Sequence, residues 1–149
     1  MLETWIPRLG VRGVVVADDE AARSPLARAA MTLALPPEVE GEVEPAAALD
    51  WAGLAASEAP SLVVVRSPAD AERAFAAGMT PDRAPVLNLG NVHYSQGRRP
   101  ITPSIFLSAP ELDALRRLAA AGFRIEARAV PLDAPIDLAE IERRWNAAG

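Results

Sequence analysis

The chain has no cysteine, no lysine and one histidine, and aromatic residues make up 5% of it. Without cysteine there are no disulfides, no thiolate nucleophile and no zinc ribbon. Without lysine there is no Schiff base and no phosphate-binding P-loop lysine. All 15 basic residues are arginine, as a GC-rich coding sequence would favour. A metal site ordinarily needs more than one His or Cys, so neither a metal nor a cofactor is expected. No stretch approaches the ~20 apolar residues of a membrane span. Met1-Leu2-Glu3-Thr4-Trp5 has neither the basic nor the apolar region of a signal peptide, and a cytoplasmic location is expected. The net charge is −5 and the arginines are scattered. That pattern lacks the basic stripe of a nucleic-acid surface.

What is present is an apolar half in 149 residues, enough for one domain spanning residues 1–149. Leu2, Trp5, Ile6 and Leu9 recur at i, i+3, i+4 and i+7, so the chain opens on an amphipathic helix. Gly13-Val14-Val15-Val16-Ala17, Ser61-Leu62-Val63-Val64-Val65 and Pro85-Val86-Leu87-Asn88-Leu89 read as buried strands. A helix from the Asp18-Asp19-Glu20 turn to about Leu35 is expected, with Leu26, Ala30, Leu33 and Ala34 inward. A short strand near Gly41–Glu44 and an Ala-rich helix from Pro45 to about Ala56 follow. Ser67 and Pro68 suit the cap and first position of a helix reaching Ala77. The stretch Gly90–Pro100 is too short for a parallel crossover, so residues 101–107 read as a small antiparallel excursion. Pro110 opens a helix, and Arg124–Val130 alternates like a half-exposed strand near a sheet edge. A last helix runs from about Leu138 to Trp145. Strands alternating with helices predict a mostly parallel sheet covered on both faces.

Ligands of such sheets bind beyond the carboxyl ends of the strands. The loops at Asp18-Asp19, Arg66-Ser67 and Gly90-Asn91 are therefore the candidates. Asp18 and Asp19 suit either a carboxylate site or helix capping. Gly90-Asn91 suits either an anion-facing turn or a plain one. His93 reads as a turn residue with local hydrogen bonds. No Gly-x-Ser-x-Gly elbow exists to make it part of a triad.

Val86-Leu87-Asn88-Leu89-Gly90-Asn91-Val92-His93-Tyr94, followed by Gly97-Arg98-Arg99-Pro100-Ile101-Thr102, resembles the IIB component of the mannose/fructose/sorbose class of the sugar phosphotransferase system (PTS). Val14–Ala22, Ala34–Val39 and Gly122–Pro131 agree with that family in the same order. The resemblance implies a three-layer α/β/α sandwich. It also implies phosphoryl relay: a histidine after the family's first strand takes phosphate from a IIA domain and passes it to sugar held by the membrane IIC and IID components. Neutral imidazole suits that step as both nucleophile and leaving group. Backbone N–H groups and a cation would stabilise the phosphoryl group in flight.

The family's Asp-Asp-Arg-Leu-Ile-His-Gly-Gln-Val motif matches no segment of this chain. Met1 aligns with its Val, and Leu2 continues as the family's first helix. The first strand and the nucleophile are therefore expected to be absent, and no residue present is expected to be catalytic. Removing an internal strand would bare about eight to ten backbone groups at ~1–3 kcal/mol each if buried, against ~5–15 kcal/mol of net stability. A start codon placed downstream of the true one, at a GUG that encodes that Val, would explain the pattern. The alternative is a degenerate regulatory or sugar- or nucleotide-binding α/β module without phosphotransfer, although no Gly-x-Gly-x-x-Gly follows any strand. If the fold is kept, Arg66 and Ser67 are expected closest to the phosphate position, flanked by Gly90 and Asn91, with Asp18 further off. Association with further copies of the chain is compatible with the sequence.

Overall fold

The unbroken Val14-Val15-Val16 run forms the middle of a parallel sheet in the computed structural model, which describes residues 2–149. Met1, aligned above with the family's Val, lies outside the described residues. The chain divides into two units, described in turn. The N-terminal unit comprises Leu2–Arg66 and Asp70–Met79, and the C-terminal unit comprises Ser67–Ala69 and Thr80–Gly149.

The N-terminal unit opens on helix α1 (Leu2–Leu9), which buries Trp5 and Ile6 as its periodicity predicts. Strand β1 (Gly13–Ala17) follows, then α2 (Asp19–Ala22) and α3 (Pro25–Leu33), β2 (Glu40–Glu44), α4 (Trp51–Ala56), β3 (Ser61–Val65) and, from Asp70 onward, α5 (Pro68–Ala76). β1 pairs in parallel with β2 on one side and β3 on the other. Val14 packs with Ile6, Val11 and Val39, and Leu62 and Val64 lean on that cluster. Helices cover both faces of this sheet, so the α/β layering is as predicted.

Three local expectations need correction. The helix expected to run unbroken to Leu35 is two helices. Ser24 Oγ accepts from Ala27 N at 3.2 Å and Pro25 takes the first turn of α3, a restart that a proline without an N–H favours. Nothing on α3 is buried: Leu26 is 82% and Leu33 85% exposed. The Ala-rich segment after β2 begins as a 3₁₀ turn at Ala46–Ala48. Finally, β3 is half-buried along its whole length rather than buried. It pairs with β1, and among the described residues no strand pairs with its other edge.

The C-terminal unit holds β4 (Val86–Leu89), β5 (Arg99–Thr102), β6 (Ile105–Leu107), α6 (Ala109–Ala120), β7 (Arg124–Ala127), β8 (Ile136–Asp137) and α7 (Leu138–Ala147). β4 runs parallel to β7, and β8 returns antiparallel on β7's far side. β4 likewise has one bare edge among the described residues, and of its residues only Leu89 is buried. β5 and β6 form the expected antiparallel excursion. β7 was expected at a sheet edge and half-exposed, but it is central to its ladder with Ile125, Glu126 and Ala127 buried. Glu126 supplies the misleading polar position. Arg128 donates to its carboxylate at 3.1 Å, which allows it to be buried. Ser108 starts α6 with a reciprocal capping box to Glu111. Leu112, Leu115 and Leu118 then face inward, and α7 contributes the fully buried Ile141. No helix among the described residues is long and apolar enough to cross a membrane.

Candidate functional site

Sheet register brings two of the candidates together. Ala17 is level with Val65, so Asp18 and Arg66 leave the carboxyl ends of adjacent parallel strands side by side. Asp18 Oδ2 lies 3.7 Å from Arg66 Nε. Asp18 divides its two carboxylate oxygens between a helix cap and an ion pair. Its Oδ1 caps α2, accepting from Glu20 N at 3.0 Å and Ala21 N at 3.1 Å, while Oδ2 faces the arginine.

Arg66 is the hub of a larger network. Its Nε donates to Asp70 Oδ2 at 3.0 Å and its Nη1 to Glu20 Oε2 at 3.3 Å. Arg73 Nη2 donates to Asp70 Oδ1, and Arg73 Nη1 to Asp19 Oδ2 at 3.2 Å. Asp19 uses its other oxygen on Ala46 N at 2.8 Å. Two arginines thus interlock with four carboxylates, all in the N-terminal unit.

Burial divides these acids sharply. Asp70 is 4% and Asp18 9% exposed, so both are buried polar groups that need partners. Burial alone would push the Asp70 carboxyl up, but hydrogen bonds and charge from Arg66 and Arg73 outweigh it and hold the group below the usual carboxylate range. The Asp70 hydrogen bond and charge correspondingly raise both arginines. The Glu20 side chain, in contrast, is 82% exposed. The Arg66 side chain is 47% exposed, so its guanidinium is anchored at the back and open at the front. A guanidinium presented this way can take a carboxylate or a phosphoryl group through paired N–H donors.

The other candidates fall in the C-terminal unit. Ser67, half-buried, directly precedes Pro68 at the start of α5. Gly90 is half-buried and Asn91 exposed in the turn after β4. The turn is held by Val92, whose N–H donates to Ser104 O and whose carbonyl accepts from Phe106 N, both at 2.9 Å. Asn88 tightens the strand end, donating from Nδ2 to Arg128 O at 3.1 Å and accepting from Arg128 N at 3.2 Å. His93 is exposed, and its carbonyl accepts from Arg98 Nη1 at 2.7 Å. Arg98 also grips Glu111 through Nε at 2.9 Å and Nη2 at 2.7 Å. The basic pair after Gly97 thus has local work: Arg98 closes the loop, and Arg99 stacks on Trp145 with its guanidinium carbon 3.8 Å from the ring centre.

Asp19 belongs to the candidate Asp18-Asp19 loop, whereas Glu20, Asp70 and Arg73 were not singled out from sequence. A signal was available for two of them. Arg66, Asp70 and Arg73 stand at i, i+4 and i+7 around a helix start, the spacing at which oppositely charged side chains meet. Glu20 and Asp19 reach Arg66 and Arg73 across 46 and 54 residues, which no local pattern encodes.

Comparison with known proteins bears on this arrangement. The model of the PTS system sorbose subfamily IIB component matches residues 2–147. The N-acetylgalactosamine-specific phosphotransferase enzyme IIB component 2 of Escherichia coli (strain K12) is 27% identical over 135 residues, covering 90% of this chain and 84% of that protein. Among solved structures, the IIBSor domain of the sorbose permease from Klebsiella pneumoniae superposes with a TM-score of 0.83 at 17% identity, covering 95% of this chain and 87% of that one. The manxB structure from Thermoanaerobacter tengcongensis gives 0.83 at 21% identity, covering 96% and 86%.

Proposed function

The chain belongs to the sorbose-subfamily IIB components of the PTS, and on that premise we propose that it is built for phosphoryl relay from a IIA domain to a sugar held by membrane IIC and IID components, at a cytoplasmic location. The observation that carries this reading is Arg66. It stands at the carboxyl end of a parallel strand, is fixed from behind by buried Asp70 and Asp18, and is open in front. A fixed cation of this kind stabilises a phosphoryl group without rearranging as charge develops. Within the C-terminal unit, the backbone N–H groups at Ser67, before a helix start, and at Gly90 and Asn91, in a strand-end turn, are proposed separately as anion-facing.

The nucleophile is not among these 149 residues in our reading. His93, the single histidine, lies on a turn that resembles a different family position. We therefore propose that the phosphoryl group does not come to rest on this chain as written. Incubation with phosphorylated IIA protein followed by gel separation tests this directly. No acid-labile phosphate is expected on the chain, and label that disappears in His93→Ala would overturn the proposal. Titration with inorganic phosphate tests the cation: Arg66→Ala should abolish saturable shifts at the strand-end amides, and unchanged binding would remove Arg66 from the site.

A further inference from the structure

We infer that Glu20 is a placeholder for the phosphoryl group: its carboxylate occupies the open side of Arg66 and is exchanged for phosphate, while Asp70 and Asp18 stay in place. The inference rests on the reading of Arg66 as the phosphate-facing cation and adds how that cation is kept when no phosphate is bound.

The acids around Arg66 are not equivalent. Asp70 is buried and shared with Arg73, and Asp18 is buried and bound to the first turn of α2. Releasing either would strand a desolvated carboxylate, a costly change. Glu20 meets Arg66 through one contact of 3.3 Å, and its side chain is largely in water. An exposed, single-contact ion pair of this kind contributes little and is readily exchanged. A phosphate dianion offers more charge and more acceptor oxygens than a carboxylate, and guanidinium binds it through two parallel donors. The geometry also supplies the second donor. Arg66 spends Nε on Asp70 and Nη1 on Glu20, so displacing Glu20 frees Nη1 beside Nη2, which makes no hydrogen bond among the described residues. Glu20 lies in the first turn of α2, so on release it keeps a favourable place at the positive end of that short helix. Without an exchangeable acid, the front of Arg66 would be open to any anion. With one, only a stronger acceptor displaces it.

The test is a titration of the full chain with inorganic phosphate at constant ionic strength, followed by amide and carboxyl NMR shifts. Glu20→Gln should tighten phosphate roughly two- to fivefold, the scale of an exposed ion pair, and Arg66→Ala should abolish binding in both backgrounds. In the unsubstituted chain the Glu20 carboxyl resonance should move on saturation and that of Asp70 should not. Glu58→Gln makes the same change in net charge at an exposed residue outside the network and should leave the affinity unchanged. An equal gain from Glu58→Gln would overturn the placeholder in favour of a net-charge effect. Unchanged affinity in Glu20→Gln, with Arg66→Ala still abolishing binding, would overturn the placeholder and leave the phosphate-facing role of Arg66 standing. Phosphate binding that survives Arg66→Ala would overturn both.

Discussion

Trp145→Phe should loosen the turn that carries Gly90 and Asn91, although Trp145 lies over fifty residues away in sequence. Trp145 Nε1 donates to Leu107 O at 2.9 Å, and Leu107, fully buried, ends β6. At the other end of that strand Ile105 bridges Val92 in parallel, and Val92 exchanges backbone bonds with Ser104 and Phe106. The indole thus anchors one end of the strand whose other end fixes the turn. Phenylalanine keeps a ring under Arg99 but has no N–H. The lost hydrogen bond is worth about 1 kcal/mol, and the weaker attraction of the smaller ring for the guanidinium adds a few tenths to about 0.5 kcal/mol. The expected destabilisation is therefore ~1–2 kcal/mol.

Urea denaturation followed by circular dichroism measures the total. Native-state hydrogen exchange locates it, because opening free energies are read residue by residue. Exchange at the Val92 and Phe106 amides should quicken roughly tenfold, the factor that corresponds to ~1.4 kcal/mol, while amides of β1 keep their rates. A loss below about 0.5 kcal/mol, within the range of an ordinary surface change, would refute the anchoring. So would a normal loss of stability that leaves Val92 and Phe106 protected.

Three further outcomes follow from particular contacts. The folded-state pKa of Asp70 is depressed, so its stabilising contribution is present above the unfolded value near 3.9 and is lost as pH falls through the lower folded value. Asp70→Asn should therefore show a shallower loss of urea midpoint than the unsubstituted chain on acidification from pH 5 to 2, and parallel acid limbs would count against it. Leu26→Gln and Leu33→Gln remove large apolar side chains from α3, which buries nothing, and should each change stability by less than about 0.5 kcal/mol in the same assay. Gly122 ends α6 with φ +114°, and a Cβ there would stand 3.2 Å from Pro81 Cγ. Gly122→Ala should cost of order 1–3 kcal/mol by forcing backbone strain, and a neutral midpoint would contradict it.

Hydrophobic period carried the sequence reading where one face dominated. The bounds of α1 and the three-valine strand β1 follow from spacing alone, and so does the hairpin of β5 and β6, from a connection too short to cross over. It failed where a polar residue is buried with a partner or an apolar one is left outside. Glu126 made β7 look half-exposed because its neutralising Arg128 is invisible to periodicity. Leu26 and Leu33 gave α3 an apolar stripe that nothing among the described residues covers. At the strand ends, the rule that ligands gather beyond the carboxyl ends picked out Asp18 and Arg66, and parallel register placed them side by side. Glu20 escaped because its partner is 46 residues away in sequence, and Asp70, although its arginines are near, has a sufficient local explanation as an acid in the first turn of a helix.

Four carboxylates around two arginines look at first like a poor setting for a phosphate group, since the network as a whole carries excess negative charge. Dielectric position resolves the conflict. A buried carboxylate holds its arginine strongly because little solvent intervenes, whereas an exposed one is screened within about 8 Å at physiological ionic strength. Asp70 and Asp18 therefore fix where Arg66 points, and Glu20 only sets what an incoming anion must outcompete. Raising the salt should separate the two classes. The Glu20 contact should fade while the Arg66 Nε–H bond to Asp70 stays protected, so the cation keeps its place as its front clears. Position and access at this guanidinium are thus controlled by different acids, and a change at one need not disturb the other.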